Sequence, residues 1–152
     1  DLAVNKTNYT ESMIRANKKF NVSVISEDAK FDLFKHFGFQ SGANINKFEN
    51  FYNTKRSNNG LLYITNSTNA YMSAYVKHEI DLNTHTLFIA QLVGSEILSE
   101  IPTVTYDFYQ KNIKPKPEQK NEKHGWRCKI CGYCALTVNS KTISCIIAHN
   151  IL

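Results

Sequence analysis

The chain lacks the features that mark several classes of protein. No cysteine precedes Cys128 in its 152 residues, whereas a secreted domain held together by disulfides would distribute its cysteines through the fold. With only six glycines and three prolines, collagen-like and low-complexity sequences are excluded. No apolar run approaches the roughly 20 residues of a membrane-spanning helix, and the first residues lack the charged-then-apolar pattern of a signal peptide. We therefore expect a soluble globular protein with no membrane partner.

Positive charge is concentrated in one short stretch. The chain has 18 Lys and Arg against 13 Asp and Glu. Residues 111–129 alone hold seven basic and two acidic residues, a difference that accounts for the whole formal net charge of +5. Because the remaining residues are balanced, the sequence does not predict the basic face of a nucleic-acid-binding protein.

Cysteine is confined to the C-terminal part of the chain. Cys128 and Cys131 are separated by two residues and followed by Gly132, a spacing that can clip one side of a tetrahedral iron or zinc site. Cys134 and Cys145 could complete four ligands by number, but their spacing matches no zinc or iron pattern that we can defend. Clustered thiols favour a reducing compartment, so we expect a cytoplasmic protein.

The pattern of apolar residues predicts a mainly β protein with two short helices. Asn8 and Glu11 predict the start of a helix over Glu11–Ala16, and a second helix follows Ser26 and ends at Gly38. Because the spacing is too short for repeated βαβ crossovers, long antiparallel strands with early helices indicate a β-barrel. Strands are predicted over residues 2–4, 20–24, 61–65, 70–80, 84–93 and 104–109.

Composition divides the chain into three segments. Residues 1–110 form the predicted folded domain, and residues 124–152 carry all of the cysteines. Between them, residues 111–123 are rich in Pro, Lys and Glu, with Ile113 as their one apolar residue. This composition predicts an extended, flexible basic linker.

The motif around the first two cysteines has a familiar form. The sequence W-x-C-x-x-C-G-Y, which ends at Tyr133 after the charged linker, resembles the first iron-binding knuckle of a rubredoxin. The resemblance implies that Cys128 and Cys131 are iron ligands. A rubredoxin closes its site with a second knuckle of the form C-P-x-C, which this sequence does not contain. We therefore interpret residues 124–152 as a partial rubredoxin with an unrelated tail, and a shifted reading frame near Cys134 is our hypothesis for the difference.

Four motifs in the first segment occur in a characteristic order. They are LAVNKTNYT from Leu2, FNVSV from Phe20, HFGFQSG from His36 and THTLFI from Thr84. In this order they resemble flavin reductases of the FMN-binding split-barrel type. With the linker and the knuckle, the chain resembles the flavoredoxin–rubredoxin fusions called high-molecular-weight rubredoxins. The resemblance implies a Greek-key split β-barrel that here lacks its N-terminal strands.

The resemblance also implies cofactors, partners and site residues. FMN would be reduced by NAD(P)H and would pass electrons to a rubredoxin-type iron or to an external acceptor protein, in a homodimer. Lys6 and Thr10 would hold the FMN phosphate, and His85 would face the nicotinamide or flavin N5 and be the catalytic residue. The implied cofactor-binding residues are Lys6, Thr10, Ser41, Gly42, Lys47, His85 and Tyr106.

Ordinary structural explanations remain open for each of these residues. Thr10 favours a helix start in any protein, Lys6 and Lys47 are typical solvated cations, and an isolated His85 often forms only a local hydrogen bond. Tyr106 suits a core or an interface equally well. Two other functions also stay open, namely a non-enzymatic metal-binding or interaction module and an inactive remnant.

Overall fold

In the computed structural model, which describes residues 1–116 and 146–149, a five-stranded antiparallel sheet forms the centre of the protein. Its strands are β1 (Leu2–Asn5), β2 (Lys19–Ile25), β5 (Thr68–Leu82), β6 (His85–Ile97) and β7 (Ile146–His149). Their order across the sheet is β1-β6-β5-β2-β7. A separate antiparallel pair consists of β3 (Thr54–Arg56) and β4 (Leu62–Ile64).

Three short helices accompany the sheet, where the sequence predicted two. They are α1 (Tyr9–Asn17), α2 (Phe31–Gly38) and α3 (Tyr106–Phe108), and a π-helical turn, Tyr109–Ile113, follows the last. The helix predicted after Asn8 is confirmed, because the Asn8 side chain accepts a hydrogen bond from the Thr10 amide. Helix α1 ends at Lys18, whose φ of 55° is left-handed.

The hairpin of β5 and β6 gives the sheet its curvature. A tight turn with Asn83 at φ 64° joins the two strands, in the gap between the strands predicted over residues 70–80 and 84–93. The pairing register shifts between Ser73 and Ala74 and again between Val76 and His78. Such bulges increase the twist of a strand pair, so the sheet curls into a half-barrel. The predicted mainly β fold of the split-barrel type is therefore confirmed.

Helix α1 packs on one face of this sheet. The buried Ile14 of α1 meets Phe20 and Val22 of β2 and Phe88 of β6. The alternation of apolar and polar residues in β2 sends every second side chain to this core. The cluster consists of Leu2, Val4, Ile14, Phe20, Val22, Ala74 and Phe88.

The other face of β2 and β5 is polar and is covered by β3 and β4. Asn21 is fully buried, and its Nδ2 donates to the carbonyl oxygens of Leu61 and Leu62 at 3.0 and 3.1 Å. These bonds tie the β3–β4 segment to β2, and Leu61 O also accepts from the Ser57 amide at 2.9 Å. Beside them, Tyr63 of β4 stacks on Tyr71 of β5 with ring centroids 3.8 Å apart.

Further along the hairpin the same face is exposed. Directly opposed residues of an antiparallel pair share a face, and His78 pairs with Ile89, Ile80 with Leu87 and Leu82 with His85. In the part of the chain that the structure describes, the apolar side chains of Tyr75, Ile80 and Leu82 remain exposed there. We call this surface the open face; its residues are Tyr75, His78, Ile80, Leu82, His85, Leu87, Ile89 and Gln91.

Several predictions about the chain's secondary structure are wrong. The strand predicted over residues 104–109 is helical, because the Thr105 side chain caps α3 by accepting from the Phe108 amide at 3.1 Å. The π-helical turn extends through Ile113, which packs against the cluster around Phe34 and Tyr109, so it includes the first residues of the predicted linker. Strands β3 and β7 were not predicted. Linker residues 117–123 lie outside the described residues.

A buried carboxylate ties α1 to the sheet. Glu11 is only 5% exposed, and its Oε1 accepts hydrogen bonds from Thr86 Oγ1 and Arg15 Nη2, both at 2.6 Å. Burial by itself would raise the pKa of Glu11, but the hydrogen bonds from Arg15 and Thr86 and the charge of Arg15 outweigh it, and that pKa is lowered. The ionised form of Glu11 therefore stabilises the folded state.

We predict that Glu11→Gln lowers the free energy of unfolding at neutral pH by about 1.5–3 kcal/mol, the range for hydrogen bonds to a charged group. Because the folded-state pKa lies below the ordinary value of 4.5, the stabilisation is complete above that value and is lost as the pH falls through the folded-state pKa. Urea unfolding from neutral pH to below pH 4.5 would measure both effects. The variant should lose less stability on acidification than the wild type. Glu49→Gln, at an exposed position, is the control, and equal acid dependence of all three proteins would contradict the prediction.

Candidate functional site

The first part of the candidate site is the junction of β1 with α1. Lys6 directly follows β1, and its Nζ binds the exposed carboxylate of Asp81 at 2.6 Å. The hydrogen bond from Lys6 lowers the pKa of Asp81. The Lys6 amide also donates to Thr84 O at 3.0 Å, so Lys6 lies at the turn of the β5–β6 hairpin. Thr10 lies in the first turn of α1.

Two asparagines organise this junction, and the sequence analysis selected only one of them, the cap Asn8. Asn5 Oδ1 accepts from the Thr7 amide at 2.8 Å and from Thr7 Oγ1 at 2.7 Å, which closes a tight turn. Asn8 caps α1 in the same manner, as predicted. The spacing of Asn5 two residues before a threonine is a signal from which its role could also have been predicted.

The loop after α2 lies against the start of α1. A Cβ added to Gly42 would be 3.5 Å from Cδ1 of Tyr9, the first residue of α1. Any side chain at position 42 would therefore occupy the space beside Tyr9. Ser41 precedes it, and its Oγ accepts from the Ala43 amide at 3.2 Å. The structure thus places Gly42 beside Tyr9, the residue that precedes Thr10.

Lys47 is tied to the end of α2. Its half-buried Nζ donates to Phe37 O at 2.6 Å, and burial lowers the pKa of Lys47. His36 Nε2 lies 2.6 Å from Lys47 O, and the His36 ring stacks on Phe51 with centroids 5.6 Å apart. These contacts give Lys47 a structural role, since an ammonium at a helix C-terminus stabilises unpaired carbonyl groups.

His85 begins β6 at the same end of the sheet as Lys6. It pairs with Asn5 of β1 and with Leu82 of β5, and its Nδ1 lies 2.8 Å from Thr84 Oγ1. Because neighbouring residues of a strand face opposite sides, His85 faces away from α1, whereas Thr86 faces it. The structure therefore brings His85 to the same end of the sheet as Lys6. It places the His85 side chain on the opposite face of the sheet from Glu11.

Tyr106 lies in α3, which follows β6 in the chain. It begins that helix directly after the Thr105 cap. The nearby Val104 donates its amide to Ile25 O at 2.8 Å, which places the start of α3 beside the end of β2.

The predicted iron ligands Cys128 and Cys131 lie outside the described residues. Within residues 1–116, no group of three or more His, Cys, Asp or Glu side chains is arranged to hold a metal ion. Over the same residues, no helix is both long enough and apolar enough to cross a bilayer.

The donor groups at the β1–α1 junction fit a phosphate ester. They combine the Lys6 ammonium, the Thr10 hydroxyl and the backbone at the start of a nine-residue helix, and the loop that approaches this start adds the Ser41 hydroxyl. Gly42 leaves open the space beside Tyr9 that a Cβ would fill. The Asn8 cap occupies the Thr10 amide, so the hydroxyls and Lys6 are the stronger donors of the set.

Two characterised relatives share extensive sequence with this chain. It is 30% identical over 146 residues to the high molecular weight rubredoxin of Moorella thermoacetica, an alignment that covers 87% of this chain and 63% of the relative. It is 30% identical over 115 residues to the ferric-chelate reductase (NAD(P)H) of Archaeoglobus fulgidus, covering 76% and 68% of the two chains. The chain thus spans less than two thirds of the first relative.

Solved structures share the fold. An FMN-binding protein from Thermus thermophilus superposes with a TM-score of 0.56 at 16% identity, over 63% of this chain and 52% of that protein. The flavin reductase PheA2 superposes with a TM-score of 0.53 at 24% identity, over 66% and 60%. The sequence profile of the flavin reductase like domain matches residues 2–115, which is most of the chain. The resemblance found in the sequence is confirmed, and the chain belongs to the flavin reductase-like domain family.

Proposed function

We propose that this chain is an FMN-dependent oxidoreductase that oxidises NAD(P)H and passes the electrons to a rubredoxin-type iron centre or to an external acceptor protein. The observation that carries the proposal is the approach of the Ser41–Gly42 loop to the start of α1, where a Cβ at Gly42 would lie 3.5 Å from Tyr9, in a flavin reductase-like domain. The relatives named as an NAD(P)H-dependent ferric-chelate reductase and as an FMN-binding protein support the choice of substrate and cofactor.

In this proposal the β1–α1 junction holds the FMN phosphate. Lys6 supplies positive charge, Thr10 and Ser41 supply hydroxyl donors, and Gly42 admits the ligand close to the backbone. Asp81 competes for Lys6 in the absence of a ligand, at 2.6 Å. Because that ion pair is exposed to water, rearranging it costs little.

The remaining predicted residues complete the proposed site. Bound FMN would supply hydride acceptance and onward transfer of single electrons. His85 would orient the nicotinamide near flavin N5, and Tyr106 would lie near the edge of the flavin ring. Lys47 would hold the loop in place through Phe37 and donate to the reduced ring, since an ammonium has three N–H groups and Phe37 O accepts one.

We expect the protein to bind FMN and to oxidise NADH or NADPH when FMN is present. Thr10→Val should raise the dissociation constant for FMN about tenfold, which corresponds to one lost hydrogen bond to a charged group. Quenching of flavin fluorescence on titration would measure the affinity, and nicotinamide absorbance would measure the oxidation. Thr65→Val, at the end of β4 and outside the site, is the matched control. A wild-type protein that neither binds FMN nor oxidises a nicotinamide would favour the non-enzymatic alternatives.

The electron acceptor within the chain is a further part of the proposal. Its support is the identity with a high molecular weight rubredoxin together with Cys128 and Cys131 in the sequence. Thiolate ligands need a reducing environment, so the proposal includes a cytoplasmic location.

We expect the full chain, purified without chelators, to contain iron and to show the visible absorbance of a ferric thiolate. Cys128→Ser should abolish that absorbance and lower the iron content, because one thiolate ligand is lost. Lys129→Ala, which lies between the two cysteines and offers no ligand atom, should change neither. Zinc in place of iron would instead support a non-enzymatic metal-binding module.

We also propose that the protein is a homodimer that pairs through the open face. Tyr75, Ile80 and Leu82 expose apolar surface side by side there, and the open face carries no Asp, Glu, Lys or Arg among its residues. A face without charge suits a two-fold interface, in which each group meets a copy of its own surface.

The double substitution Ile80→Glu with Leu82→Lys should convert the dimer to a monomer, because it places charges in an apolar contact. Sedimentation equilibrium would measure the mass. Ile97→Glu changes an exposed apolar residue at the far end of β6 and should leave the dimer intact. A wild-type protein that sediments as a monomer at all concentrations would rule the dimer out.

A further inference from the structure

The hydrogen bond between Glu11 and Thr86 links two parts of the proposed flavin site. Glu11 follows Thr10 in α1, and Thr86 follows His85 in β6. We propose that Glu11 and Thr86 are a positioning pair, which holds the proposed phosphate-binding start of α1 in a fixed place relative to the strand end that carries His85. This inference rests on the proposed function, because it assigns the two ends to one flavin site.

The surroundings of the pair fix its geometry. Glu11 is 5% exposed and Thr86 is 1% exposed, so water does not compete for their 2.6 Å hydrogen bond. Arg15 donates through Nε and Nη2 to Glu11 Oε1, at 3.2 and 2.6 Å. Its Nη2 also lies 3.0 Å from Thr86 Oγ1. Because arginine can only donate, the Thr86 hydroxyl must accept from Arg15 and direct its own hydrogen at Glu11.

The other contacts of α1 with the sheet are less directional, are more exposed or hold different parts. Ile14 of α1 belongs to one apolar cluster with Phe88 of β6, but apolar contacts are non-directional. Arg15 of α1 and the cap residue Lys18 reach Glu79 of β5, but these ion pairs lie near the surface, where such pairs contribute little. Lys6 binds the hairpin turn through Asp81 and Thr84, but it precedes the helix. The bond from Glu11 to Thr86 is therefore the buried polar contact that sets how α1 lies along β6.

The charge of the pair also suits a neighbouring phosphate. A carboxylate one residue from Thr10 would repel an anionic ligand if it were left unpaired. Arg15 neutralises Glu11 directly, so the pair can be buried near the proposed phosphate position without opposing it. Alignment of binding groups to within about 0.5 Å matters for affinity and rate, so loss of the pair should reach the ligand through Thr10.

Thr86→Val and Thr86→Ser form a matched test. Valine keeps the shape of threonine and removes the hydroxyl, whereas serine keeps the hydroxyl. We expect the valine variant to raise the FMN dissociation constant about tenfold, as for one lost charged hydrogen bond, and the serine variant to stay within about twofold of the wild type. The measurements use the full chain, well below its unfolding temperature.

Amide hydrogen exchange in the flavin-free protein provides the second readout. Thr86→Val should speed exchange in residues 8–12 and 84–87 and leave residues 57–64 at the wild-type rate, because the pair acts locally. Uniformly faster exchange would show a general structural role and overturn the inference, as would wild-type FMN affinity in the valine variant. If the wild type binds no FMN, the proposed function fails, and unchanged exchange at both segments would separately refute the positioning pair.

Discussion

The pairing of β5 with β6 is the constraint on which the rest of the structure depends. β1 joins the free side of β6, and β2 joins the free side of β5, so the hairpin brings together two strands that the α1 segment separates in sequence. Its bulges curl the sheet, and the curled sheet offers one face to α1 and another to the β3–β4 pair. The positions of the candidate site residues Lys6, Thr10 and His85 follow from this arrangement.

The two faces of the sheet solve different problems of burial. Beneath α1 the core is apolar around Phe88, and its edge holds a single carboxylate, Glu11, which needs both Arg15 and Thr86 as donors. Beneath β3 and β4 the contact is largely polar, and the buried Asn21 donates there to the carbonyl oxygens of Leu61 and Leu62. A helix satisfies its own backbone and can rest on apolar side chains, whereas the β3–β4 segment is tied to β2 by a side-chain amide.

Local signals in the sequence were sufficient for much of the fold. The alternation in FNVSV predicted β2, the Asn8 cap predicted α1, and the gap between the strands predicted over residues 70–80 and 84–93 indicated the hairpin turn. The strand predicted over residues 104–109 is wrong, because its aromatic residues have a high strand propensity. The helix cap at Thr105 competes with that propensity, and the tertiary context selects the helix. The hydrogen-bond partners of the site residues could not be predicted from the sequence. Lys6 meets Asp81 across 75 positions of sequence, and no local pattern records that contact.

The register shift between Val76 and His78 determines which face of the sheet each later residue of β5 occupies. Because Lys77 is left out of the pairing with β6, Glu79 and Asp81 lie on the side of Lys18 and Lys6, and Ile80 and Leu82 lie on the exposed side. In a regular ladder that also paired Lys77, Glu79 and Asp81 would lie on the exposed apolar side, and Ile80 and Leu82 would lie among the basic residues. Removing Lys77 would close the ladder with the same pairs beyond it, so the sides taken at the hairpin tip depend on the register of β5 with β6 and not on the Lys77 side chain.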